Sequence, residues 1–79
     1  MKLSMLSLKD EGVVTEIKVT GEMLYRLNAL GLTVGAKIKV QAFSYFNNPI
    51  LISLRNYTLA LRKEIADKIK VEKLKWKKE

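Results

Sequence analysis

The side chains that could do chemistry here are few. No histidine and no cysteine occur among the 79 residues. Histidine is the commonest general base and transition-metal ligand, and cysteine supplies thiolate metal sites and disulfides, so those routes are closed. Carboxylates remain. Glu16, Glu22, Glu64 and Asp67 would have to converge to hold a metal. They are scattered along the chain, no HExxH, paired-cysteine or EF-hand spacing is present, and oxygen ligands alone hold ferrous iron weakly. The expectation is no catalytic set, no metal site and no cofactor.

The remaining chemistry is recognition. Tyr25 and Arg26 are adjacent, and both types are enriched at binding hot spots. Phe43, Tyr45 and Phe46 crowd one hairpin, where Tyr45 and Phe46 are candidates for exposed rings that dock a peptide. Trp76 stands among the lysines of the terminal KLKWKKE. An indole prefers an interface, and each nearby lysine adds about 1 kcal/mol at an anionic membrane. Each candidate has a plainer role: part of the aromatic area packs in the core, Arg26 pairs with a carboxylate of the sheet, and the tail is a frayed, solvated end. The net charge of +7 favours an acidic partner, whether nucleic acid, anionic lipid or protein, or serves solubility alone. Nucleic acid is disfavoured, because no RNA-binding signature is present and lysine outnumbers arginine, the better residue for bidentate or stacked recognition.

The elements that must position these residues follow from spacing. Met23, Leu24, Leu27 and Leu30 form the apolar stripe of a short helix. Gly31 suits its left-handed stop, with Leu27 and Leu32 in the contact of a Schellman motif. Thr33-Val34-Gly35-Ala36 suits a type II turn, with Gly35 at the position that needs positive φ. Before the helix, Val13, Thr15, Ile17 and Val19 read as the buried row of a strand weakened at Val14, and Thr20 as the helix cap. After it, Ile38, Val40 and Ala42 give the cleanest alternation, and a phase slip predicts a β-bulge near Phe43. Asn47-Asn48-Pro49 reads as a turn into Ile50, Ile52 and Leu54. Asn56 is expected at positive φ in the next turn, ahead of Tyr57, Leu59 and Leu61. Residues 62–67 allow one helical turn, and Ile69 and Val71 close the sheet. At the start, Ser4 is expected to cap a turn that tucks Leu3, Leu6 and Leu8 onto the sheet as a plug. The chain is one domain over residues 1–72 with a basic tail over 73–79. Its class is mainly β: a small, partly open antiparallel barrel of about five strands, with one short helix after the first. The opening residues lack a signal-peptide core and no run reaches a membrane span, so a cytoplasmic, soluble protein is expected.

The chain also resembles the FeoA family, small proteins that accompany the ferrous-iron transporter FeoB. The resemblance spans Leu3 to Glu72 and rests on an ordered set of blocks: Leu3…Leu8 with Gly12; Arg26-Leu27 leading to Leu30-Gly31-Leu32 and Gly35; Pro49; and Leu59-Ala60-Leu61-Arg62 followed by Ala66 and Ile69. Two positions depart from the family pattern: Asn56 stands where glycine is usual and Ile65 where an acidic residue is usual. The resemblance implies an SH3-like barrel without catalysis that supports ferrous iron uptake by binding the cytoplasmic side of FeoB, which carries a G-protein-like domain. It also implies kinship with the C-terminal SH3-like domain of iron-dependent repressors, whose DNA-binding domain has no room in this chain. The alternatives are a nucleic-acid-binding barrel and a weak ferrous-ion-binding protein. Contact with the membrane surface through the tail, and a homo-oligomer formed through an exposed strand edge, stay open.

Overall fold

The computed structural model describes residues 1–44 and 48–75. Five strands carry the fold: β1 (Glu11–Ile17), β2 (Lys37–Phe43), β3 (Ile50–Leu54), β4 (Tyr57–Leu61) and β5 (Ile69–Leu74). A helix α1 (Gly21–Ala29) lies between β1 and β2, and a single helical turn α2 (Lys63–Ala66) joins β4 to β5. All neighbours are antiparallel in the order β4-β3-β2-β1-β5. Because β4 and β5 do not pair, the curled sheet stays open, as expected.

The core follows the alternation of β2, β3 and β5. Ile38 and Val40, then Ile50, Ile52 and Leu54, then Ile69 and Val71 are buried, and no polar side chain is buried among the described residues. The expected row of the first strand holds only at its end, where Ile17 packs against the core and Val19 is buried. Val14 is 1% exposed, whereas Thr15 lies in solvent. The register with β5 jumps between Val14 and Glu16. One extra residue at Thr15 moves every later side chain to the opposite face, so Val14 belongs to the core before the bulge and Val19 after it. A similar shift occurs in β2 between Val40 and Ala42, so the bulge expected near Phe43 forms just before it, at Gln41. Beyond it Phe43 turns inward, opposite Ile50, and packs against the core.

The helix stop is built as a Schellman motif. The Leu32 N–H donates to the Leu27 carbonyl at 2.9 Å and the Gly31 N–H to the Asn28 carbonyl at 3.0 Å, with Gly31 at φ +95°. Both leucines are buried. Next, the Ala36 N–H donates to the Thr33 carbonyl at 3.0 Å with Gly35 at φ +95°, and the Gly35 N–H donates to the Val14 carbonyl at 2.7 Å, which ties the turn to β1. Thr20 occupies the helix N-cap but its hydroxyl makes no cap bond. Between β3 and β4 the positive φ, 45°, falls on Arg55 and not on Asn56. A two-residue hairpin takes a primed turn to match strand twist, and one of the two such types needs positive φ at its first residue alone. β5 runs two residues past the expected boundary at Glu72, with Lys73 opposite Gly12 and Leu74 opposite Glu11.

The plug forms with one change. A 3-10 turn, Leu3–Met5, buries Leu3 and Leu6 and leaves Leu8 exposed. Ser4 lies inside the turn and does not cap it; its hydroxyl donates to the Asp67 carboxylate just after α2. That bond, helped by the Lys63 and Lys2 charges and opposed by burial, holds the Asp67 carboxyl below the usual carboxylate range. A depressed folded value stabilises the fold above the ordinary value of about 4, and the contribution is lost as pH falls through the folded value. Ser4→Ala is therefore expected to lower the urea midpoint at pH 6. The gap to the parent should close as pH drops below about 4; a gap independent of pH would refute this link.

Candidate docking site

Of the partner-binding candidates, two lie among the described residues. Tyr25 is 75% exposed on α1, and Arg26 is exposed beside it in the last turn. Tyr45, Phe46 and Trp76 lie outside the described residues. Of the helix stripe, Leu27 is buried, Met23 packs against the core and Leu24 is half-buried, but Leu30 is 43% exposed. The stripe is core at its middle and surface at its C-terminal end.

That end opens onto a groove of about 780 Å³. One wall is the helix stop and type II turn, which contribute Leu30, Gly31, Val34 and Gly35; the other is the β3–β4 turn, with Leu54, Arg55 and Tyr57. Leu30, Val34 (63% exposed) and Tyr57 (43% exposed) are three of the exposed large apolar residues of the described chain. The two walls approach closely. A Cβ placed on Gly31 would lie 2.9 Å from the Tyr57 hydroxyl oxygen, so that wall depends on a residue without a side chain. Neither Tyr25 nor Arg26 lines the groove. Its residues were missed because each was assigned to the helix stripe, a turn or a strand. One signal was present: Val34 puts an apolar side chain at the tip of a turn, where polar residues are usual.

Among the residues that line the groove, Lys37 and Arg55 are charged and no carboxylate is present. No aspartate or glutamate occurs between Met23 and Lys63, a stretch that holds Arg26, Lys37, Lys39, Arg55, Arg62 and Lys63. At the groove's rim Lys37 pairs with Glu11 at 3.5 Å, whereas Arg55 has no ion-pair partner among the described residues. The carboxylates considered as metal ligands are apart: Glu16 pairs with Lys70 at 3.9 Å and Asp67 with Lys63 at 3.6 Å. Among the described residues no three acidic side chains come together where a metal could bind, and no helix is long and apolar enough to cross a membrane.

An open five-stranded antiparallel barrel with one helix after its first strand defines an SH3-like fold. The chain belongs to the FeoA family, whose domain model matches residues 1–73. It is similar to the FeoA protein of Chlorobium tepidum, at 35% identity and a TM-score of 0.90, covering 99% of this chain and 74% of that one. A second similar structure is the FeoA of Stenotrophomonas maltophilia complexed with zinc, described as a prokaryotic SH3 domain protein and put forward as a ferrous iron transport activating factor. It is 26% identical, with a TM-score of 0.78, covering 91% of this chain and 89% of that one. A manganese-dependent transcriptional repressor, 24% identical with a TM-score of 0.83 over 94% of this chain and 36% of that one, shares the fold. No curated protein matches the chain. The family is implicated in ferrous iron transport and is an accessory family, not one known for enzymes.

Proposed function

We propose that this protein is a non-catalytic accessory component of ferrous iron uptake. In this reading it binds the cytoplasmic side of a FeoB-type transporter, next to the G-protein-like domain. Family membership supports the process. The observation that carries the contact is the groove, where Leu30, Val34 and Tyr57 remain exposed in a stretch without acidic residues. Exposed apolar side chains framed by charge are how a small domain holds a partner, and the Tyr and Arg there are hot-spot types. Tyr25 and Arg26 extend the surface along α1, and the basic tail adds a contact with the inner membrane face.

The test is co-purification with the transporter, together with its rate of nucleotide hydrolysis. Val34→Glu is expected to weaken binding about tenfold or more, because it puts a charge into the contact. The fold should be unaffected, since Val34 is already largely exposed. A chain cut after Lys75 keeps β5 whole and tests the tail separately. Absence of a complex, with no effect on hydrolysis or transport, overturns the proposal.

A further inference from the structure

The two outer strands of the sheet are not alike. β5 is covered at its free edge: the Met1 ammonium donates to the Val71 carbonyl at 3.0 Å, the Val71 N–H donates to the Met1 carbonyl at 2.7 Å, and Lys2 bridges to Lys70. Among the described residues β4 pairs with β3 alone. A two-residue turn makes Leu54 and Tyr57 a pair that exchanges both backbone bonds, so the N–H and C=O of Thr58 and Ala60 point away from β3. No described loop or turn bonds to either backbone, and both residues are exposed. The usual protections of an edge, a lysine, a proline or a bulge, are missing from β4.

Charge says what kind of strand fits there. Arg55 precedes β4 and Arg62 follows it, and neither has an ion-pair partner among the described residues. A second copy, paired antiparallel about Leu59, would set Arg55 of one chain opposite Lys63 of the other, an unfavourable like-charge approach that Asp67 beside Lys63 offsets only in part. An acidic segment meets no such penalty. Tyr57 is also both the first residue of β4 and a wall of the groove, so a strand added along β4 continues into the apolar site.

We infer that β4 accepts an extended, acidic segment of the partner as an added strand between Arg55 and Arg62, with an apolar side chain of that segment seated against Leu30, Val34 and Tyr57. This rests on the docking function proposed above and specifies how the contact is made: main-chain bonds supply affinity, and the groove and arginines select the sequence.

The test uses the whole protein and the cytoplasmic domain of a FeoB-type transporter from the same organism. Hydrogen exchange at the Thr58 and Ala60 amides is expected to slow about tenfold or more on binding. Ala60→Pro removes an outward donor while leaving the pairing with β3, and should weaken binding about tenfold, whereas Ala60→Ser should bind as the parent does. Arg55→Glu with Arg62→Glu should weaken binding at least as much without touching the main chain, which keeps the idea falsifiable if the proline variant does not fold. Binding that leaves both amides exchanging as before, and that tolerates the arginine reversals, overturns strand addition but leaves the docking function standing. No binding by the parent protein overturns both. A dimer in sedimentation that Ala60→Pro dissociates assigns the edge to a second copy and overturns the acidic segment.

Discussion

Gly31→Val is expected to destabilise the protein by about 2–4 kcal/mol, from two costs at one position. The first is conformational. Gly31 sits at φ +95°, which L residues adopt at a cost of about 1–2 kcal/mol and β-branched residues least of all. The second is steric and smaller: the new Cβ meets the Tyr57 hydroxyl oxygen at 2.9 Å, the far end of an exposed side chain that must swing aside. Relief by backbone movement would break the Schellman bonds that hold Leu32 in the core. Gly35 separates the costs: it has the same φ, but nothing lies within 4 Å of an added Cβ. Gly35→Val should therefore cost about 1–2 kcal/mol, the backbone part alone. Urea unfolding of both variants checks this. A chain of this length holds roughly 4–12 kcal/mol of stability, so the Gly31 variant should lose a large part of it. Equal losses at the two glycines would show that Tyr57 gives way freely and that the groove wall is soft. Combining Gly31→Ala with Tyr57→Phe, which deletes the colliding oxygen, should recover part of the loss of Gly31→Ala alone.

Leu3→Ala should cost about 2–5 kcal/mol, as other fully buried leucines do when truncated. Leu3 is 0% exposed although it is the third residue of the chain. Its 3-10 turn packs against β5 and α2, on the side where β4 and β5 fail to pair. The turn cannot follow a shrunken side chain inward, because its ends are held: Met1 bonds with Val71, Lys2 bridges to Lys70 and Ser4 donates to Asp67. A site that cannot collapse keeps its cavity and pays the larger penalty. Leu8, exposed on the same segment, is the control, and Leu8→Ala should change stability by about 0.5 kcal/mol or less. Comparable midpoints for the two variants would show that the opening segment lies on the barrel without completing it.

These expectations mark where local information was sufficient. The helix stop at Gly31 and the turn at Gly35 are decided by residues within a few positions, because backbone sterics act over that distance, and both were visible in the chain. The rows of β2, β3 and β5 were visible too, since alternation with one buried face is a local pattern. Membership of the FeoA family was carried by the same short blocks.

What the chain alone did not reveal depends on residues far apart in it. Whether Val14 or Thr15 faces inward is set by a bulge, and a bulge exists only relative to the strand opposite. The positive φ at Arg55 follows from the twist of two paired strands, which outweighed the intrinsic tolerance of Asn56. Ser4 finds its partner in Asp67, 63 positions away. The groove is a relation between a helix end and a distant hairpin, and the bare edge of β4 shows only once every other strand has found its neighbours. Sequence by itself determined the elements and their order, because propensity and sterics are short-ranged. Tertiary structure alone decided which apolar side chains stay in solvent, because exposure is a property of what packs opposite.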